Sequence, residues 1–346
     1  MNRSAFSSLM AAASLALSIG LLPTPALAQA LTQDQATSTV RIQEWQVPWP
    51  DTRPRDPYLA PDGRVWFVGQ VGNYLAVFDP ETGKFRRHDL PAGTKPHTVV
   101  VDQDGFPWIA GNGNGTILRF DPESAEYTTY KVPETAGVEP RDPHTFAFDG
   151  RSGIWFTMQR GNAIGHLDMD NGEIRVAPVP TAGALPYGIV SDDHGQPWAV
   201  LLGTNKIATV DPDTFAVTEI EVPRDKARLR RVGLTGDGRV WYGDFTQGYI
   251  GAYDPGGGEF EEWKTPSENS GPYALATDDQ GRIWFVETIP QPNLLQGFDP
   301  ATGKYLSATP IPSGGQSVRH MVFDPATDSL WFGTDSNHLG RARLPD

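Results

Sequence analysis

Short apolar segments built around a tryptophan recur along the chain at nearly constant spacing. Successive tryptophans lie 42, 47, 43, 43, 43 and 47 residues apart. A period of about 40–50 residues is typical of folds in which one structural unit is repeated. The segments read RVWFV, FPWIA, GIWFT, QPWAV, RVWYG, RIWFV and SLWFG, and they contain Trp66, Trp108, Trp155, Trp198, Trp241, Trp284 and Trp331.

Each repeat shows the same order of apolar segments and turns. An apolar segment leads to a turn such as Asp104-Gly105, and the tryptophan segment follows. A third segment ends in Asp-Pro, as at Asp211-Pro212, and a fourth ends at a proline such as Pro223. Four short antiparallel strands in about 40–50 residues are typical of a propeller blade. We therefore predict an all-β fold, a seven-bladed β-propeller of four-stranded antiparallel blades.

The two ends of the repeat region complement each other. Residues 42–48 (IQEWQVP) resemble a fourth strand with no blade before it, whereas the last repeat stops after its third strand, at HLGRARLPD. The N-terminal strand is therefore expected to complete the last blade and remove an open sheet edge. An open β-solenoid would not have matching missing and surplus strands. We expect the tryptophans to pack between neighbouring blades as core.

The N-terminal segment has the pattern of a secretory signal. Arg3 precedes an apolar run over residues 9–22, and Ala26-Leu27-Ala28 gives a small-x-small cleavage site. This run is too short for a membrane span, which needs about 20 residues. We predict a signal peptide over 1–28, a short extension over 29–39 and one propeller domain over 40–346. The expected location is periplasmic or secreted.

Composition narrows the classes of partner. The chain has 28 Lys+Arg against 42 Asp+Glu, a net charge of −14, which disfavours nucleic acid as a partner. It has no cysteine, so stability must come from the core and from strand pairing. No zinc signature, P-loop, dinucleotide fingerprint or GxSxG motif is present. We expect a monomer that binds a small or peptide-like molecule.

Equivalent positions on the first strands of a propeller converge around the central channel. Counting eleven residues back from six of the tryptophans, and eight back in the first repeat, predicts a ring of polar side chains. A concave site with convergent polar groups is the default binding site. The ring comprises Tyr58, His97, His144, Tyr187, Arg230, Tyr273 and His320.

Carboxylates occur close to this ring in the sequence. Asp244 and Glu287 lie three residues after a tryptophan in adjacent blades, and Asp142 lies two residues before His144. Such groups can orient a histidine or bind a hard cation. The alternative for Asp244 and Glu287 is a salt bridge to Arg230.

Units of the form PHxx…DG…WFT…N.IG…DP.TG…VP resemble the streptogramin B lyase (virginiamycin B lyase) family, in its exported branch. The resemblance covers all seven repeats, from Ile42 to the C-terminus. It implies a seven-bladed propeller that opens a cyclic depsipeptide by elimination, with Mg²⁺ at the channel mouth. It also implies a site made of a His, an acidic-Pro-His with a Glu, and a Tyr, from three consecutive blades.

Two registers carry this pattern onto the chain. In the preferred one, His97, Asp142-Pro143-His144 and Tyr187 match in order, and Gln159 takes the place of the family's Glu. The carboxylate that the resemblance implies as a metal ligand is therefore replaced by an amide.

In the direct register the Tyr falls at Tyr58 and the second His at His320. Tyr273 then replaces the first His, and the Glu falls near Asp335. Rotation around a closed ring changes the geometry little, so the order His–His–Tyr on consecutive blades decides the preference.

The first functional hypothesis is a Mg²⁺-dependent carbon–oxygen lyase. One of His97 and His144 would act as general base and the other as acid toward the leaving alkoxide, while Tyr187 would stabilise the oxyanion. Substrate binding is assigned to Tyr58, Arg230, Tyr273 and His320, and metal binding to Asp142, Gln159, Asp244 and Glu287. The alternative is a non-catalytic propeller that binds a ligand or protein. A lactonase or esterase is a weaker third.

Overall fold

The structure is a computed structural model that describes residues 40–345. The predicted signal peptide and extension lie outside the described residues. Between residues 40 and 345 the chain forms 28 strands and no helix, arranged as seven four-stranded antiparallel sheets. The predicted seven-bladed propeller is confirmed. No helix of this described part is long and apolar enough to cross a membrane.

Blades are numbered along the chain, and each one runs outward from its first strand. Blade 1 contains β2 (Pro54–Leu59), β3 (Val65–Gly69), β4 (Tyr74–Asp79) and β5 (Lys84–Asp89); blade 2 contains β6 (Val99–Val101), β7 (Pro107–Gly111), β8 (Thr116–Phe120) and β9 (Tyr127–Lys131); blade 3 contains β10 (Pro143–Phe148), β11 (Gly153–Met158), β12 (Ala163–Asp168) and β13 (Ile174–Pro178).

The remaining blades follow the same order. Blade 4 contains β14 (Pro186–Ser191), β15 (Pro197–Leu201), β16 (Lys206–Val210) and β17 (Val217–Glu221); blade 5 contains β18 (Leu229–Leu234), β19 (Val240–Asp244), β20 (Tyr249–Asp254) and β21 (Glu259–Lys264); blade 6 contains β22 (Pro272–Thr277), β23 (Ile283–Glu287), β24 (Leu294–Asp299) and β25 (Lys304–Pro310); blade 7 contains β26 (Val318–Asp324), β27 (Ser329–Thr334), β28 (His338–Arg343) and β1 (Arg41–Gln46).

The N-terminal strand closes the ring, as predicted. β1 pairs antiparallel with β28 over its whole length. Trp45 stacks on Trp331 with ring centroids 5.6 Å apart. The carboxylate of Glu44 accepts hydrogen bonds from the backbone N–H and hydroxyl of Ser313, at 2.6 and 2.7 Å. Chain ends far apart in sequence are thus joined by strand pairing, aromatic packing and side-chain hydrogen bonds.

The seven repeated tryptophans form core between blades. Each is at most 6% exposed. Trp66 of blade 1 meets Phe120 of blade 2 at 5.8 Å, and Trp331 of blade 7 meets Phe78 of blade 1 at 6.1 Å. Because each indole packs on the next blade, these residues stabilise the closed ring, and their predicted core role is confirmed.

A β-bulge lies near the start of the first strand in six of the blades. In blade 3, for example, the register shifts between Pro143 and Phe146, and the other five show the same irregularity. A bulge adds an unpaired residue and re-aims side chains. Residues at these bulges meet across the channel, as Arg231 of blade 5 and Thr145 of blade 3 do, and we call this end of the channel the mouth.

Candidate functional site

Strand register defines which side chains belong to the mouth. In six blades the residue three positions beyond the tryptophan pairs with a residue of the first strand, and the residue that follows this partner is the equivalent position. In blade 2 the equivalent is the residue eleven positions before the tryptophan, the same spacing as in blades 3 to 6. We call these seven residues the mouth ring. They are Arg55, His97, His144, Tyr187, Arg230, Tyr273 and Arg319.

Two members of the ring predicted from the sequence are therefore corrected. Arg55, not Tyr58, is the blade 1 member, because Pro54 pairs with Gly69 and the spacing from Arg55 to Trp66 is eleven residues, as in blades 2 to 6. Tyr58 lies opposite Trp66, with its ring edge-on to Phe148 at 6.3 Å. Arg319 is the blade 7 member.

The second correction has a local cause. The β26–β27 hairpin holds one residue more than the others, which moves a count of eleven from the tryptophan onto His320. His320 lies one place further along β26. Burial, followed by the charge of Arg231, lowers its pKa to about 4.

His97, His144 and Tyr187 come together at the mouth. The two imidazole centroids lie 3.4 Å apart, and the Tyr187 ring lies 4.3 Å from His144. All three side chains are buried. The order of residues in the preferred register thus corresponds to a compact cluster in space.

Both histidines are held in the neutral state. Burial lowers the pKa of His97 and of His144 well below 6.5, and the charge of Arg55 lowers both further. Nδ1 of His144 lies 2.9 Å from the Thr145 hydroxyl. Nδ1 of His97 is buried without a hydrogen-bond partner. The cluster therefore offers neutral imidazole nitrogens, which can accept a proton.

Tyr187 and Tyr273 form a hydrogen-bonded pair across the channel, with hydroxyl oxygens 2.5 Å apart. Burial, and then Tyr273, raises the pKa of Tyr187 to about 12. Burial alone would raise the pKa of Tyr273, but the guanidinium groups of Arg55, Arg319 and Arg230 outweigh it and lower that pKa. Tyr187 is accordingly the proton donor of the pair.

Three guanidinium groups surround this pair. Arg319 donates to the Tyr273 hydroxyl at 3.3 Å, and the Arg230 guanidinium lies 4.8 Å from the Tyr273 ring centroid. Arg55 is 6% exposed and donates to Gln70 at 3.0 Å, while its Nε and Nη2 have no hydrogen-bond partner. This half of the mouth is strongly cationic.

A buried ion pair crosses the channel directly beneath the ring. The Arg231 guanidinium, 2% exposed, donates to Asp56 at 3.2 Å, to the Thr145 hydroxyl at 3.2 Å and to the Arg319 carbonyl at 2.9 Å. It thereby connects blades 5, 1, 3 and 7. Burial opposes ionisation of Asp56, but Arg231, His320 and Arg55 hold its pKa well below the usual range. Sequence reasoning missed this pair, although two adjacent arginines in an inner strand were a visible signal.

The residues predicted to bind a metal do not converge. Asp142 accepts backbone N–H groups of Arg160 and Gly161 at 3.0 and 2.8 Å. Glu287 accepts from the Ser267 hydroxyl and from Gln296, at 2.5 and 2.8 Å. These carboxylates stabilise local loops and strands.

Asp244 and Gln159 do not complete such a site. One oxygen of Asp244 accepts the backbone N–H of Arg228 at 3.0 Å, and the other is buried without a partner. Gln159, in blade 3, supplies no charge. Over residues 40–345 no group of three or more His, Cys, Asp or Glu could hold a metal ion. Mg²⁺ prefers carboxylate and water oxygens, so these residues do not fit it. The alternative salt bridge of Asp244 or Glu287 to Arg230 is not found either.

The chain and its fold are similar to those of known proteins. The model of the virginiamycin B lyase family matches residues 28–293, well over half of the chain. The chain belongs to the virginiamycin B lyase family. The match contains six of the seven mouth-ring residues, all except Arg319. The family resemblance in the repeats is confirmed.

Individual relatives agree with this assignment. A virginiamycin B lyase from Nocardia farcinica is 36% identical over 87 residues, which span 25% of this chain and 30% of the relative. The selenomethionine-substituted virginiamycin B lyase from Staphylococcus aureus superposes with a TM-score of 0.79 at 22% identity, covering 88% of this chain and 100% of that one. A catalytically inactive variant of the S. aureus enzyme, with quinupristin, gives a TM-score of 0.79 at 23% identity over the same shares. At these identities the structures show a shared fold.

Proposed function

We propose that this virginiamycin B lyase family member is a carbon–oxygen lyase, which opens an ester bond of a cyclic depsipeptide-like substrate by elimination at the mouth. The observation that carries the proposal is the pair of buried, neutral histidines, His97 and His144, 3.4 Å apart beside Tyr187. A neutral imidazole is the form that acts as a general base.

The reaction begins with removal of a proton from the carbon next to a carbonyl group. One of the two histidines takes this proton. The electron pair left behind forms a double bond to the neighbouring β-carbon, and the bond from that carbon to the ester oxygen breaks. A carboxylate leaves, no water is added, and the proton later passes from the imidazole to solvent.

Charge develops on oxygen during both steps, and the mouth supplies groups that stabilise it. Tyr187 keeps its proton at neutral pH, since its pKa is raised to about 12. In the free protein this proton is donated to Tyr273, so substrate must take the place of Tyr273 as the acceptor. Tyr187 can then donate a hydrogen bond to an enolate-like oxygen. Preorganised donors of this kind stabilise the charge that develops in the transition state.

The leaving group modifies the role expected for the second histidine. A carboxylate has a pKa near 4, so it departs without being protonated. Both histidines have lowered pKa values, which leaves neither of them as a ready proton donor at neutral pH. Charge neutralisation by arginine, rather than an acid, is what this departure needs.

The family resemblance implies magnesium dependence, whereas the residues expected as ligands do not fit the ion, and no step above passes through a metal. Because Asp142 and Glu287 are committed to other donors, we expect ring opening to persist in the presence of a chelator. Loss of activity in chelator with recovery on added Mg²⁺ would contradict this expectation.

Liquid chromatography with mass spectrometry tests the proposal. The purified protein is incubated with a streptogramin B depsipeptide such as quinupristin, the molecule named with the S. aureus relative. Elimination gives a ring-opened isomer of unchanged mass and altered retention. A product heavier by one water would indicate an esterase or lactonase instead, and no product would argue against a lyase for this substrate class.

The second candidate is a binding propeller without turnover, favoured by the buried guanidinium nitrogens of Arg55 that have no hydrogen-bond partner. It predicts that the depsipeptide binds and is recovered unchanged. We also propose that the protein acts as a monomer in the periplasm or outside the cell, after removal of residues 1–28. N-terminal sequencing and the mass of the exported protein in solution test both statements.

A further inference from the structure

We propose that Arg55, Arg230 and Arg319 form a carboxylate-binding site at the mouth, separate from the histidine pair. The proposal rests on the proposed function for the origin of its ligand, which is the carboxylate that C–O cleavage releases. The binding chemistry itself rests on charge and hydrogen-bonding capacity alone.

The local charge balance is the first observation. Four arginines meet at or just below the mouth, Arg231 being the fourth, and the carboxylates paired with them are Asp56 and Asp335. Asp56 lies beneath the ring on Arg231, and Asp335 lies outside it on Arg319. This leaves a cationic excess of two charges in a chain whose net charge is −14. An anion entering the mouth meets an attractive field.

Unused hydrogen-bond donors are the second observation. Nε and Nη2 of Arg55 and Nε of Arg230 are buried and have no hydrogen-bond partner, although Nε of Arg55 forms a 3.6 Å ion pair with Asp56. Leaving buried donors unpaired is costly, and donors on a charged group form the stronger hydrogen bonds. A bound carboxylate would supply acceptor oxygens to them.

The surrounding aromatic rings give the site its shape. Arg230 packs between Phe245 and Tyr273, with its guanidinium 4.5 and 4.8 Å from their ring centroids. These contacts hold the guanidinium in place. An aryl-substituted carboxylate would place its ring against this aromatic wall and its charge among the arginines.

Phenylacetate and the neutral phenylacetamide are the matched probes. Isothermal titration calorimetry of the purified protein is expected to show phenylacetate binding at least about tenfold more tightly, the gain expected from charge-assisted hydrogen bonds. Arg230→Gln should remove that preference and leave phenylacetamide binding within about twofold. The control is Arg64→Gln, since Arg64 pairs with Asp62 in an exposed turn away from the mouth.

Asp335→Asn provides a test in the opposite direction. Asp335 holds Arg319 through contacts of 2.5 and 3.2 Å. Neutralising it should strengthen phenylacetate binding several-fold, a gain that a merely structural role would not produce.

Equal binding of the two probes would overturn the inference, as would an Arg64→Gln effect equal to that of Arg230→Gln. Since calorimetry needs no turnover, ring opening without carboxylate preference refutes this site alone. Carboxylate preference without ring opening refutes the lyase alone.

Discussion

The two halves of the mouth use the same backbone position for opposite chemistry. Blades 2 to 4 contribute His97, His144 and Tyr187, all buried and uncharged. Blades 5 to 7 and blade 1 contribute Tyr273 among three arginines, whose guanidinium groups lower its pKa. The propeller repeats its backbone, whereas the mouth is polarised from one side to the other.

The two halves of the mouth depend on each other electrostatically. The charge of Arg55 helps to keep both imidazoles neutral, so the cationic half prepares the base in the other half. The same charges favour the negative oxygen that forms when the base takes a proton. Moving the arginines elsewhere would weaken both effects.

The largest effect on activity is expected from removing an imidazole of the histidine pair. His144→Ala should lower turnover of the depsipeptide by about 10²–10⁴, the range for loss of a general base. Steady-state kinetics and a thermal unfolding curve check it together. His194→Ala, in an exposed turn, is the matched control. Unchanged turnover in both His144→Ala and His97→Ala would end the lyase hypothesis.

Breaking the ion pair between Asp56 and Arg231 beneath the mouth ring should have the next largest effect. Asp56→Asn leaves Arg231 buried without its counter-charge, and breaking such a pair costs about 3–5 kcal/mol of unfolding free energy. Urea unfolding measures it. Asp62→Asn removes an exposed partner of Arg64 and should cost about 1 kcal/mol at most. Similar losses in both variants would show that the crossing pair has no special structural role.

Mild acid should destabilise the folded protein, because three buried histidines are neutral in it. His97, His144 and His320 have lowered pKa values when folded, so below about pH 6.5 the unfolded chain binds protons that the folded chain does not. The free energy of unfolding therefore decreases as the pH is lowered, by up to about 1.4 kcal/mol per pH unit for each histidine. For His320 the window closes near its folded pKa of about 4.

Urea unfolding at several pH values between 4 and 7 checks this slope. His320→Gln should reduce it by one histidine's share, whereas the exposed His194→Gln should leave it intact. A stability that is flat down to the range in which carboxylates titrate would contradict the buried neutral state.

The smallest effect is expected where the halves meet. Tyr187→Phe removes the hydroxyl that bonds to Tyr273 at 2.5 Å. A loss of about tenfold in kcat/KM, equivalent to about 1.4 kcal/mol, is expected from one hydrogen bond. Substrate saturation curves separate kcat from KM. A change in KM alone would make the hydroxyl a binding group rather than one that stabilises the transition state.

Blade number and closure could be predicted from the sequence because both follow from burial. Each repeat must bury a tryptophan against the next blade, and β1 must cover the edge of β28. The cluster of His97, His144 and Tyr187 was also accessible, because consecutive blades place equivalent residues side by side.

The rest of the site depends on details that spacing does not carry. One extra hairpin residue moved the predicted ring member from Arg319 to His320. Asp56 and Arg231 lie 175 positions apart in the sequence. They meet only because the closed ring leaves a channel narrow enough for their side chains to span. The carboxylate of Asp142 could equally have been a metal ligand or a turn acceptor until its backbone partners were known.

The most direct test is the fate of the proton that the base removes. A cyclic depsipeptide carrying deuterium on the carbon next to the carbonyl, on the alcohol side of the ester, is incubated with the purified protein. Elimination by the histidine pair predicts a ring-opened product that has lost the deuterium and gained no water. A ring-opened product that retains the deuterium and contains an added water would contradict it.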